Sequence, residues 1–177
     1  MRSRLLLIAS LVFFVTALRA APEIKIGALK LYLVSAPADS PDQLREYLPK
    51  SEDAGHCTRR ATVRVFKDRT DPVAYLKQAA ADVMQTGRFA HYQVVNDPVT
   101  KEVILDFMTF PPNTDAEQYA EWSLLRARVV PGRGLVVCHY SMRSYVVGSP
   151  AAVKVKAERG RMTEAFKAAT FEEEAGP

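Results

Sequence analysis

The stretch from Tyr119 to Val147 limits what this chain can fold into, because it reads as two long strands joined by a tight turn. The first strand, roughly Tyr119 to Val130, carries Trp122, Leu124 and Leu125 and ends in Arg126-Ala127-Arg128. Pro131-Gly132-Arg133-Gly134 supplies the turn, with glycines available for positive φ. In the second strand, Leu135 to Val147, Val136, Cys138, Tyr140, Met142 and Val146 alternate with His139, Ser141 and Arg143. Period-two alternation buries one face and leaves the other wet or paired with something polar. Most of the chain before this hairpin reads as more sheet, and the segment after it reads as a helix to cover that sheet.

Upstream, Leu29, Leu31 and Leu33 alternate with Lys30, Tyr32 and Val34 and predict a first strand, after a short charged lead from Glu23 to Gly27. Ser40-Pro41-Asp42 predicts a helix start, with Ser40 as N-cap and Leu44, Tyr47 and Leu48 as a short apolar stripe that Pro49 ends. Cys57 to Lys67 predicts a strand with Ala61, Val63 and Val65 on one face and Arg60, Thr62 and Arg64 on the other. Asp71-Pro72 opens a second helix, lined by Val73, Leu76, Ala80 and Val83 and placed to end at Gly87. Phe89 to Val95 and Glu102 to Phe110 predict a hairpin across Asn96-Asp97-Pro98, and Pro111-Pro112-Asn113 breaks its second strand. Ser149-Pro150 starts a last helix carrying Val155, Met162, Phe166 and Ala169, and Glu172-Glu173-Glu174 form an acidic tail. Consecutive hairpins demand antiparallel pairing, so the expected fold is α+β: a mostly antiparallel sheet flanked by helices.

The chain opens with Met1-Arg2-Ser3-Arg4 and an apolar run from Leu5 to Leu18, the pattern of a signal peptide and short for a bilayer span. Cleavage is expected after Ala20, leaving residues 21–177 as one exported domain, periplasmic or secreted, without a membrane span. Residues 1–20 hold three basic residues (Arg2, Arg4 and Arg19) and no acidic ones, so their removal lowers the formal charge from +4 to +1. That near-neutral balance, with no nucleic-acid motif, argues against nucleic acid as a partner.

Two His-Cys neighbours, His56-Cys57 and Cys138-His139, invite a zinc reading. Adjacent residues on a strand point to opposite faces, so one ion does not reach all four, and no metal or cofactor is expected. Cys57 and Cys138 both fall on apolar faces; they are candidates for a disulfide closing about 80 residues, worth about 4–5 kcal/mol at the upper end. The alternative, equally open, is two buried thiols on strands that are not neighbours. The polar faces gather Arg60, Arg64, His139 and Arg143, with Arg126 and Arg128 on one side of a third strand. If those strands adjoin, the side chains form a basic patch able to bind carboxylate or phosphate. Glu102, Asp106, Glu117 and Glu121 could instead pair with these arginines across the sheet. G-x-S-x-G, G-x-x-x-x-G-K, H-E-x-x-H and dinucleotide fingerprints are all missing.

Glu46-Tyr47-Leu48-Pro49-Lys50, leading through Thr58 into Ala61-Thr62-Val63-Arg64-Val65-Phe66 and then Asp71-Pro72, resembles small exported bacterial proteins of the PsbP-like class. Glu121-Trp122-Ser123-Leu124-Leu125-Arg126 and Gly134-Leu135-Val136-Val137 fit the same pattern, so the resemblance covers nearly all of residues 21–177. It implies an α/β/α sandwich and a largely non-enzymatic group of accessory and binding proteins. Its photosynthetic members serve as assembly or stabilising subunits at a membrane complex, and no functional residue of theirs is matched one by one.

The expected function is a non-catalytic exported accessory or binding protein that takes an envelope protein or a small anionic ligand on its basic sheet face. An alternative is a small periplasmic hydrolase or lyase using His139 and Arg143 with an acidic neighbour. A third is a purely structural accessory subunit.

Overall fold

Gly134 cannot be another residue without moving the chain beside it. At φ +95° a Cβ there would run into the carbonyl of Phe66 on the neighbouring strand. The turn it closes sits near the middle of one eight-stranded antiparallel sheet, seen in a computed structural model that describes residues 22–86, 89–96, 102–110, 119–145 and 149–171. The strands are β1 (Glu23–Ile26), β2 (Leu29–Ser35), β3 (Arg45–Leu48), β4 (Arg59–Phe66), β5 (Phe89–Asn96), β6 (Val103–Thr109), β7 (Ala120–Val130) and β8 (Gly134–Ser144). Helix α1 (Pro72–Gln85) follows β4 and α2 (Ser149–Ala168) follows β8. The spatial order is β1-β2-β3-β4-β8-β7-β6-β5, so the hairpin β7–β8 occupies the centre.

Period two sorts the sheet into two faces. On one, Ala61, Val63, Trp122, Leu124, Cys138 and Tyr140 pack with Val155, Met162 and Phe166 of α2. Trp122 meets Tyr140 edge-on at 6.1 Å, and its indole N–H donates to Asp106 at 2.8 Å, so the large ring is buried without stranding its polar atom. On the other face, Leu76 and Ala80 of α1 pack on Val103, Leu105, Ala127, Leu135 and Val137. Helix α1 begins as its sequence predicts: Asp71 accepts from the Ala74 N–H at 2.9 Å and Pro72 sits in the first turn. The expected end at Gly87 lies outside the described residues, as do residues 1–21, Asp97-Pro98, Pro111-Pro112-Asn113, Val146-Val147 and Glu172-Glu173-Glu174.

Two elements differ from the sequence reading. The lead from Glu23 to Gly27 contains an edge strand, β1. The helix expected from Ser40 is instead a turn followed by strand β3. The Ser40 hydroxyl accepts from the Leu44 N–H at 3.1 Å, and Gln43 takes φ +46°, which reverses the chain instead of propagating a helix. The segment from Arg45 then fits antiparallel between β2 and β4, pairing Glu46 with Thr62 and Tyr47 with Ala61. Among the described residues no helix is long and apolar enough to cross a membrane.

Candidate functional site

Helix α1 lies over β5, β6 and β7, and the same sheet face continues past it. Beside the helix, across β3, β4, β8 and β7, opens a cavity of about 400 Å³. Register orders the residues of this face. Thr62 lies opposite His139, Arg60 opposite Ser141, Glu121 opposite Arg143, and Ser123 opposite Ser141. Leu44, Leu125 and Val137 give the cleft apolar surface, and Tyr75 from the first turns of α1 forms part of its wall.

The charged side chains form alternating pairs. Arg60 Nη1 lies 3.3 Å from Glu46 Oε1, and its Nη2 lies 3.9 Å from Glu121 Oε2. Glu121 in turn accepts from Arg143 Nε at 2.5 Å, and the Arg143 guanidinium sits 4.6 Å over the Tyr119 ring. Burial works against the Arg143 charge, but the hydrogen bond and charge of Glu121 outweigh it and hold the guanidinium protonated. Arg64 pairs with Asp42 at 2.9 Å; the Ser40 hydroxyl donates to the same carboxylate at 2.6 Å and, with Arg64, keeps it ionised below the usual range. Arg60, Arg64 and Arg143, which read as part of a free basic patch, are therefore each matched by a carboxylate. No helix needed to cover them for that to happen.

His139 sits at the junction of the apolar and charged parts. Its Nε2 shares a 3.0 Å hydrogen bond with Ser123 Oγ, and its ring stacks on Phe107 with centroids 6.4 Å apart. Burial lowers its pKa to about 4; Glu121 pulls the value up and Arg60, Arg64 and Arg143 push it further down. Near neutral pH the imidazole is uncharged. Ser123 is fully buried, and among the described residues no carboxylate bonds the second ring nitrogen, so the pair lacks the reach and the orienting acid of a nucleophilic dyad.

The predicted residues thus divide. Arg60, Arg64, His139 and Arg143 come together on the cleft face, whereas Arg126 and Arg128 lie on the opposite face, Arg126 against the end of α2. Arg126 is 2% exposed and donates to the carbonyls of Phe166 at 3.0 Å, Lys167 at 2.7 Å and Ala169 at 2.7 Å, closing the C-terminal end of that helix. Arg128 pairs with Glu102 at 3.4 Å. The Arg126 side follows from its strand, where it shares a face with Trp122 and Leu124, both core residues. Of the suggested acidic partners, Glu117 lies outside the described residues.

The disulfide reading is corrected. Cys57 and Cys138 are both buried thiols, and no disulfide joins them. Cys138 pairs in register with Val63, six residues along from Cys57, a separation of about 20 Å at about 3.3 Å per residue. A disulfide needs its Cα atoms within about 7 Å. Among the described residues no three His, Cys, Asp or Glu side chains gather as a metal-binding group.

Sequence reasoning missed Asp42, Glu46, Ser123 and Tyr75. The first two were hidden by the helix expected at Ser40; on a strand, the parity of Glu46 puts it beside Thr62. Ser123 carried a readable signal, a hydroxyl at a position facing away from Trp122 and Leu124 within the apolar centre of β7.

A protein-family model matches residues 20–171, and the chain belongs to that uncharacterised family. No curated protein and no solved structure matches it.

Proposed function

We propose that this family member is an exported, non-catalytic accessory protein that holds a small ligand bearing an anionic group in the cleft between β3, β4, β8 and α1. The observation that carries the reading is the position of Arg60 and Arg64 on the wall of a 400 Å³ recess that α1 leaves open. Concavity favours a small ligand over a flat protein epitope, since pockets of a few hundred Å³ enclose most of a small molecule's surface. Arg60 is held loosely by two carboxylates, and a ligand carboxylate or phosphate can replace one of them without leaving a buried charge alone. Helices packed on opposite faces of one antiparallel sheet agree with the sandwich of the PsbP-like class. The export reading rests on the N-terminal pattern alone.

The enzymatic alternative draws on Arg143 and its acidic neighbour Glu121. Their mutual hydrogen bond ties the two groups to each other, and the full burial of Ser123 keeps its hydroxyl from a substrate.

Native mass spectrometry of the protein recovered from its cell envelope tests the proposal. The expected species begins at Ala21 and carries a small molecule that is released on activation and absent from the Arg60→Ala, Arg64→Ala double variant. A bare wild-type monomer would contradict ligand binding, and an uncleaved N-terminus would contradict export.

A further inference from the structure

The cleft is electrically balanced. Arg60 and Arg64 bring two positive charges, Glu46 and Asp42 bring two negative ones, and His139 contributes none near neutral pH. A bare anion entering it gains no net attraction, and to reach Arg60 it must push the Glu46 carboxylate aside while remaining next to it. A bare cation meets the mirror problem at Arg60. A ligand with both charges meets neither, because it can part an existing ion pair and give each half a new partner.

The two pairs differ in how readily they part. Arg64–Asp42 is short, and the hydroxyl of Ser40 fixes its carboxylate at 2.6 Å. Arg60–Glu46, at 3.3 Å, is long for a charge-assisted hydrogen bond, which runs about 2.7–2.9 Å. Both of its side chains keep some solvent contact, at 25% and 20% exposure, and Glu121 stays within 3.9 Å of Arg60 when Glu46 moves off. Leu44, Leu125 and Val137 offer apolar surface beside this pair.

Resting on the reading of the cleft as a ligand site, we propose that its ligand is a free amino acid or like zwitterion with a short aliphatic side chain, its carboxylate on Arg60, its ammonium on Glu46 and its side chain against Leu125 and Val137. The volume, about 400 Å³, lies at the low end of ligand pockets and suits a molecule of that size with its water.

The test is isothermal titration of the mature protein at low salt with four probes: L-leucine, 4-methylpentanoate, 3-methylbutylamine and inorganic phosphate. Leucine is expected to bind at least tenfold more tightly than either molecule carrying one of its charges. Glu46→Gln is expected to weaken leucine tenfold or more while sparing 4-methylpentanoate, and Arg60→Gln to weaken both. If 4-methylpentanoate or phosphate matches leucine on the wild type, the zwitterion is overturned and the anion-binding reading survives. If none of the four binds, both fall. The wild-type comparison needs no variant, so a folding defect in either variant does not affect it.

Discussion

Arg126 and Ala169 lie 43 residues apart in sequence, yet the guanidinium of one donates to the carbonyl of the other at 2.7 Å. With the carbonyls of Phe166 and Lys167, that oxygen belongs to the end of α2, where unpaired acceptors and the negative pole of the helix coincide. The same guanidinium lies 5.0 Å from the Phe171 ring centroid and 5.5 Å from that of Phe166. Arg126→Met should therefore cost about 3 kcal/mol or more in urea unfolding, because buried carbonyls lose their donor. Arg126→Lys should recover only part of it, since one ammonium cannot reproduce the planar fork. A loss below about 1 kcal/mol for Met would mean the helix end is served by water.

His139 makes stability depend on pH. Its folded pKa, about 4, lies below the ordinary 6.5, so the unfolded chain binds the extra proton between those values. The associated stability is fully present above about pH 6.5 and is lost as pH falls towards 4, by at most about 3 kcal/mol. Urea midpoints across this range should fall for the wild type and flatten for His139→Gln, whose amide can still meet Ser123. Equal slopes for the two proteins would place the titration elsewhere.

The Tyr140 hydroxyl is buried with no hydrogen-bond partner among the described residues, while its ring packs on Trp122 and Phe166. Burial raises the phenol pKa above its ordinary value. Tyr140→Phe keeps the ring contacts and removes an unsatisfied polar atom, so it should leave stability unchanged or raise it by up to about 1 kcal/mol. A clear loss in the same unfolding assay would show that the hydroxyl has a partner.

Cys57 and Cys138 should both resist an aqueous thiol reagent in the folded protein and both react once it is unfolded without reductant. Burial raises the Cys57 pKa as well, keeping it in the less reactive thiol form. Two labels on the unfolded chain are expected by intact mass. No labels, with a mass lower by two hydrogens, would restore the disulfide.

Much of the sheet was legible because period two is a strong signal wherever one face is buried. Ala61, Val63 and Val65 on one side, and Arg60, Thr62 and Arg64 on the other, lie as their alternation predicts. The helix at Asp71-Pro72 was equally readable from its cap and proline. Ser40-Pro41 carried the same local chemistry and misled, since a serine hydroxyl serves a tight turn as well as a helix start. Arg126 misled differently. Charge drew it to the polar patch, although its strand neighbours Trp122 and Leu124 already placed it with the core. The charge balance of the cleft was beyond reach while Asp42 and Glu46 were assigned to a helix.

The alternation along β4, β7 and β8 has a consequence for how this chain can change over time. Thr62, Leu125 and His139 face the cleft, and Val63, Leu124 and Tyr140 face α2, interleaved along the same strands. Lineages can exchange the first set one residue at a time and reshape the cleft while the second set stands untouched. An inserted residue within one of these strands is another matter, because it swaps the two sets from that point onward and disrupts the cleft lining and the packing together. Drift by substitution is open to such a sheet, and drift by single insertion within its strands is closed.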